Sequence, residues 1–139
     1  MHNVDLTLAS VNVIVRDAAG RTLLQMRDSQ TRISPLLWGF WGGAVDVSDE
    51  SAHDAAAREL SEELCVPAAS ADFLSLGRRV DSRRRLAELL LYRPPLSWKQ
   101  ICICEGAGAA FFWRREMKNL PLTNSVAWYL DRKPEFFCD

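Results

Sequence analysis

Residues 6 to 15 run LTLASVNVIV, β-branched and partly alternating, and this pattern predicts a strand. A turn over Asp17 to Gly20 and a second short apolar run, Thr22 to Met26, complete a predicted hairpin. Ser29 to Pro35 is polar and reads as a loop. From Leu36 to Val47 (LLWGFWGGAVDV) aromatics mix with glycines, as in strand fragments around a close backbone approach. The period then changes. Ser51 to Leu64 is rich in strong helix formers, Ser51 is a good N-cap with Asp54 three residues on, and Pro67 stops the run. Ala71 to Val80 and Leu86 to Tyr92 read as strands joined by a basic turn, Asp81 to Arg85. Ile101 to Glu105 and Ala109 to Trp113 read as two more short strands, Arg114 to Leu120 and Ser125 to Arg132 as helices. Mixed strands punctuated by single helices predict an α/β sandwich of one domain, residues 1 to 139.

The faces of the central helix carry the first chemical signal. At about 100° per residue, His53, Ala56, Ala57, Leu60 and Leu64 share one arc, the face expected on the sheet. Glu59, Glu62 and Glu63 share a neighbouring arc at i,i+3 and i,i+4 spacing, and should face away from the core. Ala52 and Ala55, one turn earlier, leave room for something bulky beside them. Like charges so placed cost a few tenths of a kcal/mol per pair unless a cation joins them. A hard divalent ion such as Mg²⁺ or Mn²⁺ takes carboxylate oxygens. The helix alone leaves two readings open: a metal-holding face, or a solvated acidic face with Arg58 bridging Glu62.

Composition narrows the classes. At 139 residues and 48% hydrophobic, the chain suits one sizeable core. Its net charge of -1, from 17 basic and 18 acidic side chains, suggests neither a nucleic-acid partner nor a polybasic membrane anchor. Without an apolar run of about 18 residues or a signal pattern, a cytoplasmic protein is expected. The histidines are His2 and His53, so a Ser-His-Asp or Cys-His device is improbable and chemistry should run on carboxylates. The cysteines, Cys65, Cys102, Cys104 and Cys138, have no zinc spacing and are expected to be free buried thiols, with Cys102 and Cys104 pointing to opposite faces of their strand.

Gly42 to Val66, GGAVDVSDESAHDAAARELSEELCV, resembles the Nudix box: glycine, five residues, glutamate, seven residues, then Arg-Glu-aliphatic-x-Glu-Glu-x-Gly-aliphatic. Arg58, Glu59, Leu60, Ser61, Glu62 and Glu63 match without a gap, Glu50 lies the right distance before Arg58, and Val66 closes the pattern. Leu23 to Arg27, Trp38 and the double glycine also resemble the family's approach to its box. The chain departs from the pattern where the glycine counted back from Glu50 is Ala44, where Cys65 replaces the glycine after the helix, and where Trp41 replaces a proline. Either the loop Val45 to Asp49 holds an extra residue or Ala44 takes the glycine position.

The resemblance implies a Nudix α/β/α sandwich around a mixed β-sheet and a Mg²⁺- or Mn²⁺-dependent pyrophosphohydrolase. On that reading Glu59, Glu62, Glu63 and the Gly43 carbonyl hold metal, while Glu50 with Arg58 braces the loop. Glu59, Glu62 and Glu105 are the catalytic candidates, Glu105 as a base at a strand end. Arg27 would contact phosphate, and Trp38 or Phe40 a nucleobase. The run Arg78, Arg79, Arg83, Arg84 and Arg85 is either a solvated turn or a phosphate contact. The expected partner is a nucleotide-type small molecule, with no membrane. Phe136 and Phe137 suggest a homodimer contact, whereas Trp113, Trp128 and Tyr129 read as core or interface. The competing function is a catalytically silent Nudix domain that binds a nucleotide as a sensor or interaction module.

Overall fold

Strand β1 (Leu8–Arg16) is the axis of the sheet, and its β-branched run is explained by burial on both faces. Val11, Val13 and Val15 are fully buried on one side and Ile14 on the other. The computed structural model describes residues 7 to 49 and 51 to 139. β2 (Thr22–Met26) pairs antiparallel with the end of β1, at Val15 and Arg16. β3 (Trp38–Gly39) pairs with β2, and β4 (Trp41–Ala44) pairs with β1 from Ser10 to Val13. The chain from Trp38 to Ala44 thus changes partner at Phe40. β5 (Phe73–Val80) and β6 (Leu86–Tyr92) form an antiparallel pair, and β6 runs parallel to β1. β7 (Gly108–Phe112) closes the far edge on β2. The sheet is mixed.

Helix α1 (Ala52–Leu64) covers one face. The Ser51 side chain accepts from Asp54 N at 3.1 Å, as its capping pattern predicts. Ala52, Ala55, Ala56, Leu60 and Leu64 pack on Val11, Val13, Val15, Trp41 and Leu90. Ala52 and Ala55 are therefore core residues, a correction to their reading as space beside the carboxylates. α2 (Arg114–Met117) is one turn, shorter than the predicted helix to Leu120. α3 (Asn124–Arg132) covers the other face, where Val126 and Tyr129 join Ile14, Leu24, Phe40, Leu89, Met117 and Phe137. With helices on both faces the architecture is the expected α/β/α sandwich. Among the described residues no helix is long and apolar enough to cross a membrane.

Two segments depart from the sequence pattern. Ile101 to Glu105 is not a strand: Cys102 N and Cys104 N donate to Leu64 O and Glu63 O at 3.0 Å each. These carbonyls end α1 and have no intrahelical partner, so the segment serves the helix instead of a sheet. The tail is the second. Phe137 is 1% exposed and its ring stacks on Phe40 at 6.2 Å, so it completes this chain's own core. Arg16 donates to Phe136 O, and Arg114 donates to Pro134 O at 3.1 Å and pairs with Asp139 at 3.0 Å, which holds the tail in place. Phe137→Ala should therefore cost about 3 to 5 kcal/mol in urea unfolding, independent of protein concentration. A loss below about 1 kcal/mol would remove Phe137 from the core.

Candidate active site

The glycine pair of β4 brings two carboxylates onto backbone. Gly42 has φ +120, and a Cβ there would stand 2.1 Å from Val11 O, so the position admits glycine alone. Its N–H donates to Glu63 Oε1 at 2.8 Å. A Cβ on Gly43 would stand 2.7 Å from Glu59 Oε1, so the Glu59 carboxylate fills the space a side chain would take. Glu62, one residue before Glu63, is 54% exposed and sits 3.5 Å from Arg58 Nη1. The three glutamates differ sharply in burial although they share one arc of helix.

Arg58 ties the loop before the helix to the helix itself. Its Nε and Nη2 donate to the two oxygens of Asp49 at 3.1 and 2.9 Å, a bidentate pair. Nη2 also reaches Ala44 O at 3.0 Å, and Nη1 reaches Glu59 Oε1 at 3.0 Å. Arg58 holds the Asp49 carboxyl below the usual carboxylate range, and Asp49 in turn pushes the guanidinium up. The acid that braces Arg58 is thus Asp49; Glu50, expected in that role, lies outside the described residues.

Burial dominates the electrostatics of the cluster. Glu63 is 2% exposed, and burial pushes its carboxyl up to about 8 against the lowering effect of the Gly42 N–H. This corrects the expectation that Glu63 faces away from the core. Burial also raises Glu59, opposed by Arg58. Glu105 adds to the upward shift of both, so its charge belongs to the same cluster. It is carried by the loop that follows the Cys102 and Cys104 contacts, not by a strand end. Gln25 Nε2 donates to Glu105 O at 3.2 Å, Ala107 N donates to Met26 O at 2.8 Å, and Gly106 turns the chain with φ +83. The loop is clamped between the ends of α1 and β2, and the Glu105 side chain is exposed. All these donors are oxygens, and Arg58 is shared with Asp49, so the cluster is short of positive charge. A hard divalent ion fits that donor set.

On the α3 side, a cavity of about 300 Å³ runs along β4. Asn12, Arg27, Arg83, Arg85 and Thr123 line it together with Gly42 and Gly43. The glycine pair therefore lies between the cavity and the carboxylates. Arg27 is anchored by donating to Ile33 O at 3.0 Å. Of the basic turn, Arg83 and Arg85 line the cavity, whereas Arg78 pairs with Glu88 at 2.5 Å and Arg79 lies 4.7 Å over the Trp128 ring. Phe40 must be corrected: it touches the cavity, but it is 7% exposed and packed between Phe137 and Tyr129, so its ring is committed to the core. Strand alternation could have shown this, because Trp41 fills the opposite layer. Trp38 is half-buried, meets Phe112 edge-on at 4.9 Å and lies outside the cavity lining.

The thiols also differ from expectation. Cys65, Cys102 and Cys104 are exposed, and their sulfurs lie within 4.8 Å of one another. Residues two apart on an extended chain share a face, so the expected divergence of Cys102 and Cys104 fails on strand geometry. Contact with the Cys65 thiol pushes Cys104 up to about 12.

An α/β/α sandwich that delivers an acidic helix onto a glycine pair defines the Nudix class of domain. The NUDIX domain model matches residues 6 to 98, more than half of the sequence. The chain belongs to the Nudix hydrolase family. No curated protein matches it. Among solved structures it is similar to a MutT described for Aliivibrio salmonicida and Vibrio cholerae, with TM-score 0.73, 17% identity, and 90% of this chain and 94% of that chain covered. It is similar to the NUDIX domain of Shewanella oneidensis NrtR complexed with ADP ribose, with TM-score 0.69, 20% identity, and 92% and 86% covered. A bifunctional NMN adenylyltransferase/ADP ribose pyrophosphatase from Francisella tularensis, complexed with AMP and a Mn ion, aligns with TM-score 0.67 and 17% identity over 90% of this chain and 41% of that one. Five residues separate Gly43 from Asp49, the acid whose two oxygens accept from Arg58.

The buried carboxylates make stability depend on pH. Without metal, folded Glu63 holds its proton up to about 8, whereas its ordinary value is 4.5. Between these values the folded state binds more protons than the unfolded one, so stability falls as pH rises through that window. Glu59 acts in the same direction. Melting of chelator-treated protein should therefore drop from pH 5 to pH 8, and Glu63→Gln should flatten the drop. An unchanged slope in that variant would contradict the burial of the carboxyl.

Proposed function

We propose that the chain hydrolyses the diphosphate linkage of a nucleoside diphosphate derivative with Mg²⁺ or Mn²⁺ at the glutamate cluster. The observation that carries this reading is the convergence of Glu59 and Glu63 on Gly42 and Gly43, beside an arginine-lined cavity. Glu59, Glu62 and Glu63 would hold the ion, with the Gly43 carbonyl as a further ligand by family resemblance. When bound, it would neutralise the diphosphate and acidify a water. Arg27, Arg83 and Arg85 would hold phosphate oxygens or the sugar end of the substrate. The cavity is at the small end of the range for ligand pockets and suits one nucleoside. Asp49 and Arg58 position Glu59 by fixing the loop against the helix.

Glu105 is the base in this proposal. Its carboxylate is exposed, its loop is clamped, and its charge acts on Glu59 and Glu63. It would take the proton from the attacking water, while Glu59, held by Arg58, stays a ligand. Two similar structures are complexes with ligands of the proposed chemical class, ADP ribose in one and AMP with a Mn ion in the other.

A panel of nucleoside triphosphates, nucleotide sugars, ADP-ribose and dinucleoside polyphosphates, assayed for phosphate release with coupled pyrophosphatase or phosphatase, tests the reading. Turnover should need Mg²⁺ or Mn²⁺ and stop in excess EDTA. Tight nucleotide binding without turnover of any substrate would replace the enzyme with a sensor domain. Glu62→Gln should lower kcat by orders of magnitude while leaving melting intact, because the side chain is half exposed. Glu105→Gln should lower kcat about 10²- to 10⁴-fold with little change in KM, the usual cost of a lost general base. Near-normal kcat in that variant would pass the role to Glu59.

A further inference from the structure

The end of α1 carries a group of side chains that the carboxylate chemistry does not use. Cys65, Cys102 and Cys104 have their sulfurs within 4.8 Å of one another, all open to solvent. Two backbone features hold them there. Cys65 ends the helix in the left-handed conformation, φ 57 and ψ 30, where glycine is the common residue, and its N–H donates to Ser61 O at 3.0 Å. The other two are presented by the extended segment whose amides bond Leu64 O and Glu63 O at 3.0 Å each. The arms are thus fixed by main chain, and the Cys104 thiol donates to Cys102 O at 3.5 Å on the same side. A zinc–sulfur bond of about 2.3 Å places ligating sulfurs about 3.8 Å apart in a tetrahedron. Sulfurs that already lie within 4.8 Å of one another are therefore near that spacing without movement of the main chain.

From this geometry we infer a second metal site, in which Cys65, Cys102 and Cys104 bind one thiophilic divalent ion of the zinc class. Three thiols supply three thiolates, each giving its proton to solvent on ligation. The fourth position faces solvent and is left to water or an external ligand. Sulfur selects soft ions, whereas the neighbouring glutamates select Mg²⁺ or Mn²⁺, so the two sites sort ions by donor chemistry. A disulfide would use two of the thiols, require an oxidant and leave the third over. The ion would clip the loop bearing Glu105 to the end of α1, two residues from Glu63. Cys138 lies elsewhere, against Gly20, and serves as an internal control.

The test uses the full chain, reduced with a phosphine and saturated with Mg²⁺, and titrates Cd²⁺ as the probe. One equivalent should bind with ultraviolet thiolate-to-cadmium charge transfer, and Zn²⁺ should compete it away. Cys102→Ser and Cys104→Ser should each weaken binding at least about tenfold and diminish the band, and Cys65→Ser should do the same. Cys138→Ser should change neither. Circular dichroism of the free variants separates lost ligation from lost fold, since all three side chains are exposed. Cadmium uptake without the thiolate band, or equal affinity in Cys102→Ser, would place the ion on the carboxylates and overturn the site. A disulfide among the three that persists in reductant would overturn it as well.

Discussion

The hydrogen bond from Gly42 N–H to Glu63 decides how sheet and helix meet. It requires a residue with no side chain, because β4 passes so close to β1 that a Cβ would collide with Val11 O. It also requires a carboxyl group in a nearly dry position, which burial drives toward its neutral form. A buried acid of this kind weakens the fold at neutral pH unless a cation replaces the proton. The neighbouring Glu59 carboxylate fills the space where a Gly43 side chain would stand, and Arg58 compensates it while also holding Asp49. Stability and proposed metal affinity are therefore two sides of one arrangement: the cost of burying the carboxyls is what an ion would relieve.

The same glycine pair joins the two halves of the proposed site. On the α1 side it meets carboxylates, and on the α3 side it lines the cavity with Arg27, Arg83 and Arg85. Without side chains at Gly42 and Gly43, this strip of backbone packs directly against Val11 O and the Glu59 carboxylate, so the arginine-lined cavity and the acidic helix are separated by main chain alone. The basic hairpin between β5 and β6 contributes because β6 runs parallel to β1, which carries the turn toward the end of the sheet where Ser10 and Asn12 lie.

The loop from Ile101 to Ala107 shows how a helix end can recruit distant chain. The carbonyls of Glu63 and Leu64 need donors, and two amides of this loop supply them. That pairing sets Glu105 beside the acidic cluster and gathers the three thiols around the helix terminus. The two proposed sites, one of hard oxygens and one of soft sulfurs, thus arise from neighbouring segments of the same backbone.

By itself the sequence determined the element types almost throughout, because burial on two faces leaves β-branched runs and a capped helix leaves an unmistakable start. It also determined that Glu59, Glu62 and Glu63 share one arc of the helix, since i,i+3 and i,i+4 spacing is a local property. Only the tertiary structure decided how deeply each glutamate sits: Glu62 in solvent, Glu59 on Gly43, Glu63 in the core. Those depths depend on how closely β4 approaches α1, which no helical projection contains. Asp49 meets Arg58 because the loop conformation brings the two together, which the count along the chain does not contain. Phe40 reads as a nucleobase contact and Phe137 as a homodimer contact until the tail folds back and stacks them. The thiols from residues 65, 102 and 104 meet for the same reason: hydrogen bonds to a helix end, made across nearly forty residues of chain, outweigh the strand pattern that the segment carries locally.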